Sequence, residues 1–77
     1  MLRWRYIDLM DRFAKILKEL REEKDLTQTQ LGIELGFKGH SVIAQWESGK
    51  RFPEIENLIT ISKFFGVRID YLVGLED

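Results

Sequence analysis

Cysteine is absent from the 77 residues, so neither disulfides nor thiolate metal sites can brace the chain. Proline occurs once, at Pro53, and no stretch alternates apolar and polar residues as a half-buried strand does. No apolar run approaches the roughly 20 residues needed to span a bilayer. Arg3, Arg5, Asp8 and Asp11 interrupt any apolar region that a secretory leader would need. Histidine also occurs once, and His40 has no second imidazole or thiol with which to complete a metal site. These absences leave one small domain, near the lower limit at which a hydrophobic core alone suffices. Its core must come from the 44% of apolar residues, arranged in helices, and the expectation is a soluble, cytoplasmic protein that uses no metal and no cofactor.

A basic excess is missing too: the formal net charge is −1. Its distribution says more than its sum. Residues 36–53 carry Lys38, Lys50 and Arg51 against Glu47, whereas residues 54–77 carry Glu54, Glu56, Asp70, Glu76 and Asp77 against Lys63 and Arg68. One side can meet polyanions while the acidic end points away. Evenly solvated charge is the plainer alternative.

Residues 1–11, MLRWRYIDLMD, read as an N-terminal extension. It is too apolar for a disordered tail. Either it prolongs the first helix, packs back on the domain or makes a subunit contact, or Arg3 and Arg5 form an arm reaching a nucleic-acid groove. Phe13, Ile16, Leu17 and Leu20 then recur at helical spacing, followed by the charged run Arg21-Glu22-Glu23-Lys24. Asp25 stands where this helix should stop, and Asp tolerates the left-handed conformation better than most residues other than Gly and Asn. Thr27-Gln28-Thr29-Gln30 fits a capping box, with Thr27 as N-cap and Gln30 reaching back. The helix it opens ends at Gly36, and Gly32 inside it costs about 1 kcal/mol against Ala. A close helix–helix approach would explain that choice.

Beyond the turn at Phe37-Lys38-Gly39, the next helix starts near Gly39 or His40. Its Ile43, Trp46 and Glu47 look inward together. Ser41, Ala44, Gln45 and Ser48 share the opposite face, which is small, polar and uncharged. Such a face can lie flat in the major groove of DNA, where base edges offer donors, acceptors and methyl groups. Lys50-Arg51-Phe52-Pro53 form a loop whose proline suits a first helical turn. Ile55, Leu58, Ile61, Ser62 and Phe65 mark a further amphipathic helix closed by Gly66, and Ile69 to Val73 a last short one. Repeats, low-complexity segments and linkers are lacking.

Leu17, Leu20-Arg21, Leu26-Thr27-Gln28, Leu31, Leu35-Gly36, Ile43, Trp46-Glu47, Gly49-Lys50-Arg51, Pro53, Leu58, Ile61, Phe65-Gly66-Val67, Asp70 and Leu72 stand in an order that resembles the Xre/Cro/C1-type helix-turn-helix domain, the group of the lambdoid phage repressors and Cro. The likeness covers residues 12–75. It implies an all-α, compact five-helix lambda-repressor-like domain, with its second and third helices as the helix-turn-helix unit. It further implies an ion pair between Arg21 and Glu47 and phosphate contacts from Thr27 and Gln28 and from Lys38, Lys50 and Arg51. Base reading falls to His40, Ser41, Ala44 and Gln45. Three positions depart from the pattern: the turn between Gly36 and Gly49 has one extra residue, placed at Lys38-Gly39; Gly32 replaces the usual Ala; and Asp25 stands where Gly is preferred.

Among these residues Gln45 is the strongest candidate for a base contact, since its amide can pair in bidentate fashion with adenine. Ser41 suits a base or a phosphate, and Ala44 a thymine methyl. Gln28 either adds a bond to the phosphate at its helix start or rests in water. Trp46 reads as core. One copy covers little of a groove, so the resemblance implies a homodimer on a palindromic operator in double-stranded DNA, joined through the last helix and its flanks at Arg68, Tyr71 and Leu75. The resulting expectation is a sequence-specific transcriptional regulator, a repressor. The alternative is a protein-interaction module on the same fold that does not read DNA. An enzyme is not expected, for the chain has no nucleophile–base constellation, no glycine-rich phosphate loop and no metal-ligand set.

Overall fold

The computed structural model describes residues 6–75 and is all-helical there: α1 (Tyr6–Glu23), α2 (Gln28–Glu34), α3 (Ser41–Glu47), α4 (Ile55–Phe65) and α5 (Ile69–Leu72). The first helix runs unbroken from Tyr6 through the part of the extension that is described. The arm reading, which concerns Arg3 and Arg5, lies outside the described residues.

Local chemistry sets the element boundaries. Asp25 takes a left-handed conformation (φ 57°) after α1, and Gly66 takes one (φ 67°) after α4. The capping box at α2 is complete: the Gln30 N–H donates to Thr27 Oγ1 at 3.0 Å, and the Thr27 N–H donates to Gln30 Oε1 at 2.8 Å. Two N–H groups at a helix start are thereby satisfied by side chains.

The core is a single cluster to which every helix contributes. Phe13, Leu17 and Leu20 come from α1, Leu31 from α2, Ile43 and Trp46 from α3, Leu58 and Ile61 from α4, and Leu72 from α5. Trp46 sits at its centre, edge-on to Phe13 (centroids 6.3 Å apart) and to Phe37 (5.6 Å). Edge-to-face pairs of this kind add to the burial of their area. The α3 helix is therefore clasped by α1 on one side and α2 on the other. That clasp fixes which of its faces remains outside.

Three sequence expectations need correcting. Ile55 does not join the buried stripe of α4 but is 60% exposed. It opens the helix at the edge of the arc centred on Leu58 and Ile61, so its side chain clears the core. Pro53 is not in the first helical turn either; Glu54 is the N-cap, and Pro53 lies buried just before it. The close approach at Gly32 is made by a loop rather than a helix. A Cβ there would run into the Gly39 carbonyl, 2.9 Å from its carbon and nearer still to its oxygen.

Candidate nucleic-acid interface

The burial of Ile43 and Trp46 dictates the orientation of α3: with those two at 0% and 4% exposure, the opposite side must face solvent. Ser41, Gln45 and Ser48 are exposed and Ala44 is half-buried, so the small polar face is open to a partner. His40 is exposed at the N-cap of α3, where its side chain makes no capping bond.

Glu47 leaves α3 on the inner side and meets Arg21 of α1. The Arg21 guanidinium donates through Nε to Glu47 Oε2 at 2.6 Å and through Nη2 to Oε1 at 3.0 Å, a two-pronged contact. Its third nitrogen, Nη1, donates to the Leu26 carbonyl at 2.7 Å. Only 11% and 5% of the two side chains remain exposed. The hydrogen bond to Glu47 and the nearby carboxylate charges raise the Arg21 pKa above its ordinary value, outweighing the opposing effect of burial. The pair ties the end of α1 and the loop before α2 to the end of α3.

Gln28 joins the same network. Its Nε2 donates to Glu47 Oε1 at 3.1 Å, which turns the amide inward and leaves its second N–H for another acceptor. Thr27, beside it, spends its hydroxyl on the cap and keeps its position exposed. Lys38 on the turn and Lys50 and Arg51 on the loop after α3 are exposed.

The sequence did not reveal how that loop is held. The Gln45 carbonyl accepts from the Lys50 N–H at 3.0 Å, the Arg51 N–H at 3.2 Å and Ser48 Oγ at 3.1 Å. Gly49 makes the reversal possible with φ 79°. The backbone of the central outward residue thus anchors the basic loop, through main-chain atoms that side-chain patterning cannot show. Asp11 of α1 was missed for a different reason. It lies in the extension, yet its Oδ1 comes within 3.4 Å of where a Cβ on Gly49 would sit, which puts a carboxylate beside the basic loop.

The suggested subunit-contact residues are scattered in character. Tyr71 packs partly against the core, Arg68 is the exposed N-cap of α5, and Leu75 is 55% exposed.

A helix-turn-helix family model (HTH_3) matches residues 17–72. Among curated proteins, the chain is 46% identical over 65 residues to the HTH-type transcriptional activator BcrR of Enterococcus faecalis, covering 84% of this chain and 31% of that protein. It is 33% identical over 62 residues to the cryptic phage CTXphi transcriptional repressor RstR of Vibrio cholerae, covering 80% and 55%. To the uncharacterized HTH-type transcriptional regulator MJ0272 of Methanocaldococcus jannaschii it is 39% identical over 61 residues, covering 79% of this chain and 91% of that protein. The matches span between about a third and about half of the first three curated relatives (31%, 52% and 55%). No solved structure matches the chain.

Proposed function

The chain belongs to the Xre/Cro/C1-type helix-turn-helix family of DNA-binding transcription regulators, and from that premise we propose that it is a sequence-specific repressor that lays α3 in the major groove of a palindromic operator. The observation that carries this reading is the free polar face of α3, with Ser41 and Gln45 exposed opposite the buried Ile43 and Trp46. Gln45 reads a base through its amide, a contact worth about 1–3 kcal/mol of discrimination. Ser41, Ala44 and His40 complete the reading surface. Lys38, Lys50 and Arg51, with Thr27 and Gln28 at the start of α2, hold the phosphates and set the register.

Two copies bind half-sites about 34 Å apart on one side of the duplex. Repression is the form of regulation that occupancy alone performs, since a protein seated in the groove of a promoter excludes other proteins from it. The relatives include one protein named as an activator and one named as a repressor. Among the described residues no helix is long and apolar enough to cross a membrane, in keeping with work on DNA in the cytoplasm.

Selection of bound duplexes from a random pool tests the proposal. The parent chain should enrich an inverted repeat, and Gln45→Ala should lose preference at one position of each half while still binding. Lys50→Ala with Arg51→Ala should weaken all sequences alike and lower the salt slope by about 0.9 for each phosphate no longer neutralised. A pool that returns no motif at low salt would refute DNA reading and favour the interaction module, which the net charge of −1 would suit.

A further inference from the structure

The outer side of α4 carries a pattern that the DNA-reading surface does not use. Ile55 and Ile59 are 60% and 41% exposed, one helical turn apart on the same stripe. Single exposed apolar residues are ordinary on a protein surface. Here the two are adjacent, and the arc beside them continues through Lys63, Glu56 and Thr60, all exposed. The helix is long enough, at Ile55–Phe65, to present this arc as one continuous strip.

The charges on the strip have a particular symmetry. Glu56 and Lys63 lie two turns apart, about 10 Å along the axis, with Ile59 and Thr60 midway between them. When such a helix meets a copy of itself antiparallel across a two-fold axis through that midpoint, Glu56 of each copy falls opposite Lys63 of the other. A two-fold contact must be complementary to itself, and this strip is. Thr60, which would sit near the axis, already donates its hydroxyl to the Glu56 carbonyl at 3.1 Å, so burial would not strand that proton.

We propose that α4 is the subunit contact, pairing antiparallel with α4 of a second copy through Ile59 at the axis and through two reciprocal Glu56–Lys63 ion pairs, with Ile55 on the flank of the contact. The contact rests on the two-copy reading of operator binding and names the face that serves it. Of the α5 flank residues suggested by the family resemblance, only Leu75 offers a well-exposed apolar group, whereas on α4 Ile59 stands at the axis between charges that match across it. One strip of a single short helix covers far less than the about 800 Å² per partner of a standard stable interface. Dimers are therefore weak in free solution and form efficiently when adjacent half-sites hold two copies together.

A charge-reversal experiment on the full chain tests this. Sedimentation at high protein concentration and cooperativity on a two-half-site duplex are measured for Glu56→Lys, Lys63→Glu and their equimolar mixture. Each variant alone places like charges opposite one another twice and should weaken self-association about tenfold. The mixture restores both opposite-charge pairs in the heterodimer and should return association to within about threefold of the parent. Circular dichroism establishes that both variants remain folded. Binding to a single half-site separates the two readings: unchanged half-site affinity with lost cooperativity supports the α4 contact, whereas a parent that binds neither the half-site nor the two-half-site duplex at low salt would overturn DNA reading itself. Variants that dimerise like the parent, or a mixture no better than its components, would overturn the α4 contact. So would a loss of dimers confined to Leu75→Lys, which would assign the contact to the α5 flank.

Discussion

Replacing Gly32 by alanine sets two effects of opposite sign against each other. Within a helix the change gains about 1 kcal/mol, because glycine loses more backbone freedom on ordering. In this fold the added methyl carbon would lie 2.9 Å from the Gly39 carbonyl carbon and closer to its oxygen. Carbon contacts settle near 3.5–4.0 Å, so the turn would have to withdraw by on the order of 1 Å. Overfilling a packed site costs about 1–3 kcal/mol, and this obstacle is backbone, which no rotamer change relieves. The cost belongs at the upper end, giving a net loss of about 2 kcal/mol. For a domain of this size that lowers Tm by roughly 8–16 °C. Urea and thermal unfolding followed by circular dichroism would measure it. Gly39→Ala is the matched control, because no atom lies within 4 Å of a Cβ built there, and its stability should hold. A Gly32→Ala variant as stable as the parent, or more so, would refute the steric reasoning and leave only helix propensity in force.

Two further substitutions probe other parts of the frame. Arg21→Ala strands Glu47, whose side chain is 5% exposed, and should cost about 3 kcal/mol in urea unfolding, as removing one partner of a buried pair does; a loss below about 1 kcal/mol would mean that the pair behaves as a surface one. Asp25→Gly should raise the urea midpoint by the equivalent of about 0.5 kcal/mol, because the left-handed backbone at φ 57° costs glycine nothing and because a carboxylate at the negative end of α1 is removed. A lower midpoint would show that the Asp25 side chain stabilises the turn in a way its backbone angle does not reveal.

The elements that were legible in the sequence are those governed by short-range rules. The Thr27–Gln30 cap, the reversal at Asp25, the stop at Gly66 and the inward set Ile43, Trp46 and Glu47 each follow from spacing and residue chemistry within a few positions. What stayed hidden depends on how one segment meets another. Ile55 is apolar and three residues before Leu58, yet it stands at the edge of the buried arc and its side chain clears the core. The extra residue of the turn and the glycine at position 32 appeared as two separate departures from the family pattern. The structure joins them, for the turn brings the Gly39 carbonyl into the space that a methyl at position 32 would take. Gln28 appeared as a candidate phosphate ligand or a solvated cap residue, and only the folded arrangement turns its amide toward Glu47.

The three hydrogen bonds that converge on the Gln45 carbonyl have a consequence for how such a protein can change its target. They belong to the peptide unit and not to the amide at the tip of the side chain, so under the proposed reading exchanging the residue at position 45 would alter which letters are favoured and leave in place the loop proposed to grip the sugar–phosphate rails. New preferences could then be tried one substitution at a time on an unchanged frame. Only the position's main-chain geometry has to be preserved.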